Sequence, residues 1–92
     1  MRLELFSIPN DANGNLIKDF LVKNNLTFTE IITEDTELLN KIAQTKLLNK
    51  ISILRVTYSH SIHVMIGYQE NQLNQLIEHI KKYNQNHNET QL

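Results

Sequence analysis

The apolar residues of this chain change their period several times along its length, and that pattern limits the available folds more than any other feature. Residues 2–8, Arg2-Leu3-Glu4-Leu5-Phe6-Ser7-Ile8, alternate as a strand does. Pro9 ends the run, and Asn10, Asp11, Asn13 and Gly14 are turn and helix-capping residues. From Asn15 to Asn25, Leu16, Ile17, Phe20 and Leu21 fall on one face of a helix. A short β-rich run over 27–33 contains Phe28, Ile31 and Ile32. Glu34-Asp35-Thr36-Glu37 then opens a second helix, with Asp35 placed to cap it and acidic neighbours suited to its positive end. Its buried stripe is Leu38, Leu39, Ile42, Ala43 and Leu47, and Lys46 suits its C-terminal end.

Ile51 to Tyr58 and Ile62 to Ile66 read as two strands of a hairpin turning at Ser59-His60-Ser61. A third helix runs from about Glu70 to Tyr83, with Leu73, Leu76, Ile77 and Ile80 on one face. Residues 84–92 are nearly all polar and read as a disordered tail. The order is therefore β-α-β-α-β-β-α. A helical crossover favours parallel strands, whereas a hairpin forces antiparallel ones. The expectation is one α/β domain over residues 1–83, with a four-stranded mixed sheet and helices on both faces.

Composition removes whole classes of function. The 92 residues include no cysteine, which excludes disulfides, thiolate metal sites and every thiol mechanism. Nine basic against ten acidic side chains leave a net charge of −1, so a broad footprint for nucleic acid or anionic membrane is not expected. No apolar run approaches the roughly 20 residues of a membrane span. Met1-Arg2-Leu3-Glu4 lacks a signal-peptide core, and a cytoplasmic location is expected. A chain this short buries only roughly 60–65% of its unfolded surface, which makes self-association a natural support.

Three segments go further: Phe6-Ser7-Ile8-Pro9-Asn10-Asp11-Ala12-Asn13-Gly14, Thr33-Glu34-Asp35-Thr36-Glu37-Leu38 and Ile66-Gly67-Tyr68-Gln69-Glu70. In order and near-gapless spacing, over residues 2–83, they resemble the glutaredoxins of the thioredoxin-fold superfamily. Those proteins typically read Tyr-Ser-Lys-Pro-x-Cys-Pro-Tyr-Cys at the first junction. The resemblance puts the nucleophilic position at Asp11 and the resolving position at Gly14. The Thr-Val-Pro loop that contacts glutathione falls on Lys50-Ile51-Ser52, with Ser52 in place of the cis-proline. A cis bond without proline costs about 3 kcal/mol, so another loop shape is expected there. Of the Gly-Gly pair that precedes the last helix, only the second glycine is kept, as Gly67, followed by Tyr68.

Without sulfur, thiol–disulfide exchange and cluster ligation are unavailable. What the resemblance implies is a redox-inactive, glutaredoxin-like module without catalytic or metal residues. Its candidate recognition surface comprises Pro9, Asp11, Asn13, Gly14, Ile51, Ser52, Gly67 and Tyr68. The expected partner is a protein or a second copy. The rival readings are a thiol-independent protein binding glutathione or another small ligand, and a nucleic-acid-linked regulatory factor on the same fold.

Several residues carry two readings. The Asp11 carboxylate imitates a thiolate charge at the positive helix end, or else Asp11 or Asn13 simply caps the helix. Arg55, Tyr58 and Tyr68 form a small-ligand or peptide pocket beside the first helix, or else the tyrosines pack on the sheet and the arginine is exposed. His60 and His63 are three apart, a spacing that points to opposite faces in a regular strand. No pair among these and His79 and His87 has the i, i+4 spacing of a helical metal site, and solvated surface histidines are expected.

Overall fold

A computed structural model describes the backbone of residues 1–91 and the side chains of residues 1–82. Its elements are β1 (Arg2–Ser7), α1 (Ala12–Lys23), β2 (Thr29–Ile32), α2 (Thr36–Ala43), β3 (Ile53–Thr57), β4 (Ile62–Ile66) and α3 (Glu70–Gln91). The four strands form one mixed sheet in the order β2-β1-β3-β4. β1 runs parallel to β2, with Phe6 opposite Ile31. β3 runs antiparallel to β1, with Leu5 opposite Leu54, and β4 antiparallel to β3, with Leu54 opposite Met65.

Strand alternation divides the core in two. Leu3, Leu5, Leu54, Val56 and Met65 face α1 and α3, where they bury Ile17, Leu21, Leu73 and Leu76. Phe6, Ile8 and Ile53 face the other way, onto Leu39 and Ile42 of α2. The central strands β1 and β3 thus bury side chains on both faces, which is why their apolar residues run almost continuously. One charged pair interrupts this pattern. Glu4 and Arg55 lie opposite each other in register, their side chains 2.9 and 3.0 Å apart at two nitrogens, with the guanidinium 5.1 Å above the Phe6 ring.

Several boundaries differ from the sequence-based expectation: β2 and β3 are shorter, Thr29–Ile32 and Ile53–Thr57, so Ile51 and Ser52 lie in the loop before β3, and the helix ends move. α1 begins at Ala12 rather than Asn15, because Asp11 caps it. α2 stops at Ala43 instead of running to Leu47. Gln44 takes the left-handed conformation, φ 58, and the Asn40 carbonyl accepts the Thr45 N–H at 3.2 Å. The Asn40 side chain then accepts the Leu47 N–H at 3.0 Å, and Leu47 reaches the α2-side core from the loop. Lys46 consequently lies outside the helix, and Lys41 is the base in its last turn. α3 continues to Gln91, past Tyr83. Leu92, the side chains of the 84–92 tail and the reading of His87 lie outside the described residues. Among the described residues no helix is long and apolar enough to cross a membrane.

Candidate functional site at the first strand–helix junction

Ile8-Pro9-Asn10-Asp11 is a tight turn. The Asp11 N–H reaches the Ile8 carbonyl at 3.2 Å, and Asn10 has φ 65. Proline second and a left-handed asparagine third is the pattern of a type II turn. It delivers Asp11 to the head of α1 in extended conformation, φ −92 and ψ 119. There the Asp11 Oδ1 accepts the Asn13 N–H at 3.3 Å and the Asn13 side-chain amide at 3.2 Å. Asp11 is therefore the cap, as one of the two readings had it.

The second carboxylate oxygen does something the local sequence does not show. Asp11 Oδ2 accepts the backbone N–H of Ser52 at 2.9 Å, across 41 positions. Ser52 is completely buried, and its hydroxyl oxygen accepts the Ile8 N–H at 3.0 Å. The chain contains no cis peptide bond among the described residues, so Ile51–Ser52 is trans. A trans Ser52 has an N–H that proline lacks, and the Asp11 carboxylate satisfies it.

Asn13 extends the network. Its Oδ1 accepts the Tyr68 N–H at 3.0 Å, while the Gly67 N–H donates to the Ser52 carbonyl at 2.8 Å. The head of α1, the α2–β3 loop and the β4–α3 turn are thus tied by hydrogen bonds through Asp11 and Asn13. Closeness requires the glycine at 14, and backbone conformation requires the one at 67. A Cβ on Gly14 would stand 2.7 Å from Ser52 Oγ and 3.1 Å from Ser7 Oγ. At Gly67, φ +73 disfavours any side chain, and a Cβ would meet Ile51 Cδ1 at 2.6 Å.

Burial works to raise the pKa of Asp11. Hydrogen bonds from the Ser52 amide and hydroxyl, and from the Asn13 side chain and amide, outweigh it and hold the carboxyl below its ordinary value. The carboxylate is accordingly an internal anchor with its hydrogen-bonding capacity directed inward.

The structure joins Asp11, Asn13, Gly14, Ile51, Ser52, Gly67 and Tyr68 in one contact network, with Pro9 exposed in the turn beside it. It does not join Arg55, Tyr58 and Tyr68. Arg55 points to the α2 side, held by Glu4 and Phe6, while Tyr58 packs on the opposite core. β4 begins at Ile62, as expected, so His60 lies in the turn and only His63 lies in a strand. Both line one cavity. Sequence reasoning missed Ser7 and the Ile8 N–H as parts of the junction; the paired requirement for small residues at positions 7 and 14 was its only local trace. Among the described residues no group of three acidic, histidine or cysteine side chains could hold a metal ion.

Comparison of the chain with family models, with curated proteins and with solved structures finds no match.

Proposed function

We propose that the chain is a redox-inactive, thioredoxin-like module of the glutaredoxin type, cytoplasmic, that binds a protein partner with its Asp11–Ser52 end. The observation that carries this reading is the 2.9 Å contact between Asp11 Oδ2 and the Ser52 N–H. The two positions that the resemblance assigns to the nucleophile and the cis-proline meet in space. Here they hold each other by a charge-assisted hydrogen bond, with Ser52 fully buried beneath it. The strand order β2-β1-β3-β4, with one parallel and two antiparallel pairs, also supports the thioredoxin-like reading.

Binding rests on what surrounds the closed junction. The strand directions put the end of β2, the start of α1 and the loop before β3 at the same end of the sheet. Three large apolar side chains are exposed there: Leu16 at 49%, Ile32 at 67% and Leu48 at 97%. Leu48 stands between Lys46 and Lys50, both exposed. Exposed Glu34, Asp35 and Glu37 follow Ile32 at the same end, so a partner with an apolar patch and mixed charge around it fits.

The test compares the wild-type chain with Leu48→Glu as baits in the native cell extract. A partner held by the wild type and lost with Leu48→Glu supports the reading. No specific capture at any reasonable salt overturns it. Calorimetric titration with glutathione distinguishes the rival, since clear binding at about 1 mM or tighter favours a small-ligand protein. A salt-dependent gel shift would favour the nucleic-acid-linked reading, which the net charge of −1 disfavours. The protein is expected to show no disulfide reductase activity with glutathione, and a robust rate contradicts the assignment.

A further inference from the structure

At the other end of the sheet, the β3–β4 hairpin and α3 enclose a half-open cavity of about 750 Å³. Its floor is apolar, made by Val56, Met65, Leu73 and Leu76. Its rim contains Tyr58, His60, His63 and His79. These four come from the end of β3, the turn, β4 and α3, so only the tertiary structure brings them together.

The rim is specialised in two ways. All three histidines whose side chains are described line this one cavity, and among the described residues no Lys, Arg, Asp or Glu side chain does. Tyr58 is also flanked by two imidazoles at edge-on geometry, His63 at 5.3 Å and 84° and His79 at 4.7 Å and 67° between ring planes. Among the described residues no side-chain hydrogen bond engages these three rings. Their N–H and O–H groups are left available at the mouth of an apolar hollow.

We propose that this cavity is a binding site for a small planar aromatic acid. A volume of this order suits a small organic ligand. Ring edges and faces at the rim complement an aromatic body better than a flexible chain, because offset and edge-to-face contacts are favourable. Imidazole N–H, the Tyr58 hydroxyl and the Gln75 amide supply donors for a carboxylate. Among the described residues no carboxylate lines the cavity to repel an anion or to recruit a cation. The site is separate from the Asp11–Ser52 junction and stands whether or not that end binds a protein.

The test is a nuclear magnetic resonance titration of the full chain with 1-naphthoate and with its uncharged counterpart, 1-naphthalenemethanol. Saturable shifts are expected at Tyr58, His63, Met65 and Leu76, with the acid binding about tenfold tighter than the alcohol. His79→Ala should weaken the acid by about fivefold or more and the alcohol much less. His60→Ala, in the exposed turn, serves as a second variant if His79→Ala disturbs the fold, which the resonances of Leu5 and Leu21 would reveal. Absence of saturable shifts at about 1 mM, shifts confined to the Asp11–Ser52 end, or equal affinity for the two probes would each overturn the proposal.

Discussion

The two carboxylate oxygens of Asp11 serve different elements, Oδ1 at the head of α1 and Oδ2 at the loop before β3. Asp11→Ala leaves the N–H groups of Asn13 and Ser52 without acceptors, and a loss of about 2–3 kcal/mol in denaturant unfolding is expected. Asp11→Asn keeps a carbonyl acceptor and should lose about half as much. The sign of the pH effect follows from the lowered pKa. The folded state binds this proton less readily than the unfolded state, so the contribution is complete above the unfolded pKa. It is lost as pH falls through the folded one. The stability gap between wild type and Asp11→Asn should therefore narrow between about pH 5 and pH 2, and a constant gap would contradict the assignment. Gly14 sets the other condition on this junction. Alanine gains about 1 kcal/mol in helix propensity, yet its Cβ would meet Ser52 Oγ at 2.7 Å. Gly14→Ala should destabilise by about 1–3 kcal/mol net, and its cost combined with Ser52→Ala should be less than additive.

α2 shows how an element's stripe can be read while its end cannot. Leu38, Leu39, Ile42 and Ala43 were legible as one face, and Asp35 as the cap, with its Oδ1 accepting the Leu38 N–H at 3.2 Å. Nothing in Gln44-Thr45-Lys46 marks a stop, because the residue that turns left-handed is glutamine rather than glycine. Leu47 fitted the helical stripe and is indeed half-buried, but it arrives from the loop by way of Asn40. Replacing Gln44 with glycine relieves the left-handed strain against a loss of chain entropy. A net gain of about 0.5 kcal/mol in thermal or denaturant unfolding is expected; a loss would mean that the Gln44 side chain itself holds the cap. The start of α1 was misplaced for the opposite reason. Asp11, Asn13, Gly14 and Asn15 all favour turns, yet Asn13 and Gly14 are helical because their contacts to Tyr68 and Ser52 lie in other elements.

Across the whole molecule, stability concentrates where β1 and β3 meet between the two helical layers. Leu5 is fully buried beside Leu54, and Leu5→Ala should cost roughly 3–5 kcal/mol with little collapse of the cavity, because both neighbours are fixed in register. A loss below about 1 kcal/mol would place the strand pairing in question. The sequence by itself determined the order of elements, the alternation that buries both faces of the central strands, the Asp35 cap of α2 and the lack of cysteine. These are properties of neighbours along the chain, which periodicity and composition record directly. Only the tertiary structure decided that Asp11 would accept the Ser52 N–H, that Gly67 would lie against Ile51, and that Tyr58 would stand between His63 and His79. Such meetings depend on which strands lie adjacent and how the helices dock on them. No local preference encodes that, because each partner in the contact is an ordinary turn, strand or helix residue in its own segment.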